Sequence, residues 1–320
     1  MTQTLRKGPQ TPEWPTLLLL TAVYATYASV LIYAVHLPAW IGTAVLALLI
    51  AQHSSLQHEV LHGHPFRSTF WSDLTVFPAL GVFVPYLRFK QTHLQHHFDP
   101  NLTDPYDDPE TNYLDPVAFD RLSAAQKWVF RANTTLLGRM ILGPAIGIAQ
   151  FYRSELRKLA QADRAVWWAW AHHMMGLAAI VWFFSEVATM PPLQYVLAAY
   201  LGMSLLKVRT FLEHRFDERA AARSVIVEDR GLFALLFLNN NLHAVHHAHP
   251  RVPWYKLPAL YRTRRDTYLN RNGDYRYANY REVFARHLVA PKDSVCHPRW
   301  SATNRGSAHD PHKGTLLPGR

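Results

Sequence analysis

The chain of 320 residues has a single cysteine, which excludes a disulfide framework, a cysteine-bound iron–sulfur cluster and a zinc site built from several cysteines. Charge is missing from two long stretches. Residues 16–57 contain no Asp, Glu, Lys or Arg, and residues 165–206 contain one such residue, Glu186. The mean hydropathy of −0.11 would suit a soluble protein, but that average conceals how unevenly the charges are distributed.

Each uncharged stretch is long enough for two membrane-crossing helices. At about 1.5 Å per residue, each covers roughly twice a hydrocarbon core that is about 30 Å thick. A proline-containing turn lies near the middle of each stretch, at 36–38 and 190–192. The sequence therefore predicts four spans in two hairpins, at about 16–36, 39–57, 165–188 and 192–212. Two buried hairpins of a large soluble helical protein are the alternative.

Positive charge lies outside the two stretches 16–57 and 165–206, and the net formal charge is +10. Of the 33 Lys and Arg residues, 2 precede residue 16, 11 lie in 57–165 and 20 lie in 207–320, whereas both hairpin turns have none. The positive-inside rule then places both termini and both polar segments in the cytoplasm. We expect a cytoplasmic segment at 1–15, a membrane domain at 16–290 and a poorly ordered tail at 291–320. Two short apolar runs, 74–86 and 134–152, are predicted to be interfacial or re-entrant.

The 19 histidines are the main functional signal, because most fall in short clusters. Residues 58–62 have the spacing HxxxH, and residues 93–97 and 243–247 both have the spacing HxxHH. Positions i, i+3 and i+4 share one face of a helix, so each cluster can direct two or three imidazoles to one point. Neutral imidazole is the commonest protein ligand for metals and suits Zn, Cu, Fe and Ni.

All these clusters fall at one predicted depth, beneath the cytoplasmic face of the membrane. His214, just past the last predicted span, adds a ninth imidazole, which is more than one ion needs and suits two ions with four or five ligands each. The predicted ligands are His58, His62, His93, His96, His97, His214, His243, His246 and His247. Polar residues that could hydrogen-bond a ligand or hold a water are Glu59, Asp99, Asp104, Asp107, Asp108, Glu213 and Asn239.

These clusters, arranged around two pairs of membrane helices, resemble the membrane-bound fatty acid desaturase superfamily, which also contains acyl, alkane and carotenoid hydroxylases and ketolases. The resemblance covers roughly residues 40–265. Its most specific stretches are QHEVLHGHP at 57–65, HLQHH at 93–97, NLTDPYDDPE at 101–110 and NNNLHAVHHAHP at 239–250. Many acyl-CoA members have four residues between the first two histidines, whereas this chain has three.

The resemblance implies a four-span, all-α membrane protein with a cytoplasmic helical cap, in the bacterial inner membrane. It implies two ferrous ions that use O2 and two electrons to attack an unactivated C–H bond of a lipid-like substrate entering from the bilayer. Desaturation is favoured over hydroxylation, and polar-lipid, hydrocarbon or carotenoid hydroxylation is the alternative. The chain shows no flavin or nicotinamide motif, so an external ferredoxin, rubredoxin or cytochrome is expected. No nucleic-acid partner is expected.

Two alternative hypotheses assign the histidines other functions. The string from His58 to His62 also satisfies HExxH, in which Glu59 would be the general base of a membrane zinc protease. That reading leaves both HxxHH clusters unexplained. His172 and His173, inside a predicted span, could instead hold haem for electron transfer, but the large clusters lie outside that depth. A role in lining a substrate cavity or bonding a backbone carbonyl is favoured for them.

Overall fold

The computed structural model describes residues 9, 11–98 and 101–300, and this part of the protein is almost entirely helical. It contains fourteen α-helices, three short 3-10 helices and one pair of two-residue parallel strands. The prediction of a mainly helical chain is therefore confirmed. The predicted site acid Asp99 and residues 301–320 lie outside the described residues.

The first apolar stretch forms two antiparallel helices, α1 (Trp14–Ile32) and α2 (Ala39–Leu61). The first ends earlier than predicted, because a 3-10 turn, Ala34–His36, precedes Pro38. The second runs four residues further than predicted, so that it carries the first histidine cluster into its final turn. Among the described residues, α1 and α2 are the helices that are both long and apolar enough to cross a membrane.

The segment between the two apolar stretches contains five helices. In chain order they are α3 (Thr69–Leu74), α4 (Tyr86–Phe98), α5 (Pro116–Asp120), α6 (Ala124–Ala132) and α7 (Leu136–Ala160). Residues 75–85 are mostly irregular and bury Val76 and Leu80 against the bundle. The stretch predicted to be interfacial or re-entrant at 134–152 lies largely in α7, a continuous helix despite the proline at 144.

The second apolar stretch forms α8 (Arg164–Glu186) and α9 (Pro192–Thr210), close to the predicted bounds. The Asp163 side chain caps α8 by accepting hydrogen bonds from the first backbone N–H groups. Helices α2 and α9 pack closely at Gly202, where an added Cβ would lie 3.0 Å from the Ala47 carbonyl oxygen. The two apolar stretches therefore join in one bundle.

The C-terminal segment covers one end of this bundle with short elements. They are β1 (Ile226–Val227), α10 (Leu232–Leu236), α11 (His243–Ala248), α12 (Leu257–Thr263), α13 (Arg265–Arg271), β2 (Arg276–Tyr277) and α14 (Tyr280–His287). Residues 292–297, at the start of the predicted tail, include contacts with the rest of the protein. Leu114 donates its backbone N–H to Val295, and Lys292 Nζ donates to the carbonyl of His214.

Candidate metal centre

The structure brings the nine predicted histidines together in two groups. The first group takes its members from the end of α2, from α4 and from α11: His58, His62, His93, His97 and His246. One nitrogen from each ring lies within 4.8 Å of the corresponding nitrogen of every other member. These side chains come from parts of the chain nearly 190 residues apart and meet at the covered end of the bundle.

The second group lies against the first and contains His96, His214, His243 and His247, whose candidate ligand atoms also lie within 4.8 Å of one another. The two groups touch where the rings of His97 and His247 stack with centroids 4.2 Å apart. His214 follows α9, as predicted, and its backbone forms an isolated bridge with Ser224 that fixes the segment beneath the bundle.

Helical geometry explains how each HxxHH cluster serves both groups. In α4 the i, i+4 pair His93 and His97 belongs to the first group, and His96 belongs to the second. In α11 the division is reversed, because the i, i+4 pair belongs to the second group and only His246 belongs to the first. Neither helix forms a complete group alone.

Buried polar contacts hold the two histidine helices in place. Arg88 on α4 forms a bidentate ion pair with Glu155 on α7, with N–O distances of 2.7 and 2.8 Å, and both side chains are buried. Near α11, the Asn241 side-chain amide donates a hydrogen bond to the carbonyl of Val227. The backbone N–H of Ala244 donates to the carbonyl of Val225. The histidine clusters therefore rest on fixed elements.

The spacing of the ring nitrogens matches that of ligands around metal ions. Nε2 of His214 lies 2.9 Å from Nε2 of His96 and 3.0 Å from Nε2 of His243, and a third such pair, His97 and His246, is separated by 3.1 Å. Neighbouring ligands at right angles, each about 2.1 Å from one ion, would be roughly 3.0 Å apart. Four further Nε2 atoms are buried without a hydrogen-bond partner: those of His58, His62, His93 and His247. The residues fit two metal ions bound through Nε2.

In four of the nine histidines the opposite ring nitrogen faces a polar partner, as is usual for metal-binding histidines. His96 Nδ1 lies 2.8 Å from Asp108 Oδ1, and His93 Nδ1 lies 2.8 Å from Glu110 Oε1. In the second group, Nδ1 of His243 and of His214 face Asn240 Oδ1 and the Ser224 hydroxyl, at 3.1 and 3.2 Å. Asp108 thus occupies the position predicted for it. Glu110, Asn240 and Ser224 were not predicted, although the sequence stretches that carry the family resemblance include the first two.

Two other predicted partners are placed differently. Asp104 caps a turn by accepting the backbone N–H groups of Tyr106 and Asp107. Asn239, which was predicted to hold a water at the site or to cap a helix, donates its amide to the carbonyl of Trp254, and the neighbouring Asn240 contacts His243.

Glu213 remains near the second group, with Oε1 3.7 Å from His243 Nδ1, but the same oxygen lies 2.7 Å from Arg209 Nε. Asp107 accepts a hydrogen bond from Asn101. Neither carboxylate therefore forms a hydrogen bond with a clustered histidine among the described contacts.

Glu59 faces away from both groups. Its carboxylate accepts the backbone N–H of Trp254 at 3.0 Å and lies 3.8 Å from His64, so it is not placed as a general base for an ion held by His58 and His62. This geometry does not support the zinc protease hypothesis.

The two histidines considered as haem ligands, His172 and His173, make other contacts. His172 Nδ1 lies 2.9 Å from the Trp168 carbonyl, and His173 Nε2 lies 2.8 Å from the Val82 carbonyl. Both rings bond a backbone carbonyl, which was the favoured alternative, and both line an apolar cavity of about 250 Å³.

Burial keeps most of the clustered imidazoles neutral. Burial is the largest influence on His97 and, together with the nearby His93 and His96, lowers its pKa to about 2. Burial also lowers the pKa of His62, His214, His243, His246 and His247. For His96, burial disfavours the charged form, but the carboxylates of Glu110 and Asp108 outweigh it and raise the pKa to about 9. Neutral imidazole is the form that coordinates a metal, so the groups are largely ready to bind one.

Comparison with known proteins agrees with this geometry. The sequence profile of the Fatty acid desaturase family matches residues 12–279, so the chain belongs to that family. It is also similar to a beta-carotene ketolase from Paracoccus sp. (strain N81106 / MBIC 01143), with 26% identity over 229 residues, which cover 69% of this chain and 76% of the relative. The protein is accordingly an oxidoreductase with oxygen-dependent chemistry of the desaturase and hydroxylase type.

Proposed function

We propose that the protein is a membrane di-iron enzyme that oxidises an unactivated C–H bond in the hydrocarbon chain of a lipid, with desaturation as the first candidate reaction. The observation that carries this proposal is the convergence of nine histidines in two adjoining groups. Two ions held by four and five imidazoles keep coordination positions open, which suits iron better than a closed structural zinc site. When bound, the iron supplies the activation of O2.

The chain's own residues would hold and shield this centre. Asp108 and Glu110 orient His96 and His93 and bring negative charge close to a site whose proposed ligands are all imidazoles, with no carboxylate among them. Five of those ligands, His58, His93, His96, His243 and His246, are almost completely buried, so water is largely excluded. Dry, fixed surroundings favour a reaction at a C–H bond over the release of reactive oxygen species.

A lipid substrate is supported by the apolar cavity between α3, α4 and α8. Its volume is about 250 Å³, and its walls include Phe70, Leu74, Phe77, Leu87 and Trp168. Because α4 also carries three of the proposed iron ligands, a chain held in this cavity would lie against the element that bears the metal site. The protein then guides an apolar chain, and the metal centre performs the chemistry.

The proposed topology has four spans, α1, α2, α8 and α9, with both termini and the histidine groups at the cytoplasmic face of the bacterial inner membrane. Support comes from the two hairpin turns, which have no Lys or Arg. The exposed arginines in α12 and at its junction with α13, among them Arg262 and Arg264, would attract an acidic ferredoxin, rubredoxin or cytochrome that delivers electrons.

The similarity to a beta-carotene ketolase favours a second candidate, oxygenation of a carotenoid-like hydrocarbon at the same centre. The two candidates differ in what the product gains or loses. Desaturation removes two hydrogens and hydroxylation adds one oxygen atom, whereas conversion of a CH2 group to a ketone adds one oxygen and removes two hydrogens.

One experiment tests the proposal at two levels. Purified protein should contain about two irons per chain, and His96→Ala should lose iron and activity together. Mass spectrometry of lipids and pigments from cells with and without the protein should show a loss of two hydrogens or a gain of one oxygen. A zinc-only protein, or an iron-loaded protein that leaves every lipid and pigment unchanged, would contradict the proposal.

A further inference from the structure

A second cavity, of about 280 Å³, lies between α7, α9 and the segment that follows the second histidine cluster. Unlike the cavity beside α4, it is lined largely by polar side chains. Two of them are cations, Arg139 on α7 and Lys207 on α9, and three are amides, Asn112, Asn133 and Gln150. The reaction proposed above uses none of these five residues.

The positive charge in this cavity is not balanced by an acid in contact with it. Arg139 is buried and donates to two neutral acceptors, the Asn133 carbonyl and the Asn112 side chain. Burial lowers the pKa of Arg139 to about 10, which still leaves it charged at neutral pH. The Lys207 side chain forms no ion pair or hydrogen bond with any described residue, although Glu110 and Glu213 lie near enough to attract its charge. Asp108 also lines the cavity, but its oxygens already accept from His96, Thr103 and Glu110.

The walls of the cavity leave space and hydrogen-bonding capacity for a ligand. Two glycines one helical turn apart on α7 face the cavity, and a Cβ added at Gly147 would lie 3.8 Å from Lys207 Nζ. Oδ1 of Asn133 is buried without a hydrogen-bond partner, so it can accept from a hydroxyl group. A ligand with negatively charged oxygens and a protonated oxygen or hydroxyl would satisfy both cations and this acceptor.

We infer that the cavity between α7 and α9 is a binding site for a phosphate group, held by Arg139 and Lys207. Lys207 lies one turn from the end of α9, which in the proposed topology is the cytoplasmic end of a span. Basic pockets at this level commonly hold lipid head groups, so a membrane phospholipid is the source that the position favours. The inference goes beyond the proposed reaction and relies on it only for the topology.

The test uses full-length protein purified in maltoside micelles and offered two probes with the same acyl chains, dioleoyl phosphatidate and dioleoylglycerol. Phosphatidate should be retained and dioleoylglycerol should not, as measured by native mass spectrometry. Lys207→Met should weaken phosphatidate binding by roughly tenfold or more, because a charge-assisted contact is lost. Lys158→Met, on α7 but outside the cavity lining, is the matched control and should bind as the wild type does.

A second variant protects the test against misfolding. Gly147→Leu keeps both cations, favours the helix and fills the space beside Lys207, so it should also abolish phosphatidate binding. Inorganic phosphate distinguishes the sources, since tight binding of phosphate without phosphatidate would assign the site to a soluble phosphate compound. Equal phosphatidate binding by wild type and Lys207→Met, or equal binding of both probes, would overturn the inference. Iron content of the same samples reports separately on the histidine centre.

Discussion

The two histidine groups differ in how their rings are supported. The first has five imidazoles, of which His93 has a carboxylate partner, Glu110, in a partly exposed position. The second has four imidazoles, and three of them have a polar partner at Nδ1, including the fully buried Asp108. In the group with fewer ligands, more of the imidazole rings are therefore held in place by a polar partner. We expect it to be less tolerant of losing one.

The largest effect should follow loss of His214. Its Nε2 lies within 3.0 Å of two other members of the four-histidine group, so His214→Ala leaves three ligands and removes the central one. Iron should fall from about two to about one per chain, and product formation should fall to background. His36→Ala, at an exposed position in the first hairpin turn, is the control and should keep both ions. Full iron content in His214→Ala would show that His214 is not a ligand.

A smaller effect is expected in the five-histidine group. His62→Ala leaves four imidazoles, as many as the other group has naturally. The variant should still bind two irons at saturating metal but with affinity reduced by roughly 10–100-fold, within the range seen when a metal site is perturbed without being dismantled. Iron titration of the metal-free protein measures this. If His62→Ala and His214→Ala lost iron equally, the difference between the groups would disappear.

The hydrogen-bonding carboxylates allow a finer comparison. Asp108→Asn and Glu110→Gln keep the shape of each side chain but remove its charge, so each should weaken iron binding by about 10-fold, with the larger loss for the buried Asp108. Asp104→Asn is the matched control, because Asp104 accepts only backbone N–H groups of its own turn. If Asp104→Asn weakened iron binding as much as Asp108→Asn does, the cause would be damage to the loop.

The smallest expected effect concerns acid sensitivity of the metal-free protein. Burial holds the pKa of His97 at about 2, far below the value of about 6.5 in an unfolded chain. The unfolded state therefore takes up the proton first, and stability falls as the pH drops below about 6.5. His96, with its pKa raised to about 9, acts in the opposite direction, since its stabilising effect is lost as the pH rises from about 6.5 to 9.

Most of the clustered histidines behave like His97, so iron-depleted protein should melt at a lower temperature at pH 5 than at pH 7. His97→Ala should reduce this difference. A melting temperature that is unchanged or higher at pH 5 would mean that these imidazoles are not kept neutral by burial in the folded protein.

The residues that share helical spacing could be predicted from the sequence, and the residues that depend on loop geometry could not. The i, i+3 and i+4 positions of α4 and α11 identify the histidines, because a helix fixes their directions. The choice of Asn240 over Asn239 depends on a turn in which Leu238 and Asn239 have positive φ angles, which no spacing rule reveals. Glu110 reaches His93 through an irregular loop, and its position likewise depends on tertiary packing.

The helix bounds also divide into those that the sequence predicts and those that depend on tertiary packing. Proline turns and uncharged runs locate α1, α2, α8 and α9 within a few residues. The run at 134–152 contains Arg139 and several glycines, from which the sequence predicts an interfacial or re-entrant piece. In the structure the Arg139 side chain reaches neutral acceptors, and α7 continues past Pro144 in close contact with α9. The partners of this buried cation cannot be predicted from the sequence, because they depend on how the surrounding segments pack.

The exchange of roles between α4 and α11 has a consequence for assembly. Because each helix contributes to both groups, neither ion can be fully coordinated until the segments before and after α8 and α9 have docked. A polypeptide that ends before residue 243 keeps four imidazoles of the first group but only two of the second, so it should hold at most one ion and should bind it more weakly than the whole chain does. Metal content then reports whether the two halves of the chain have come together.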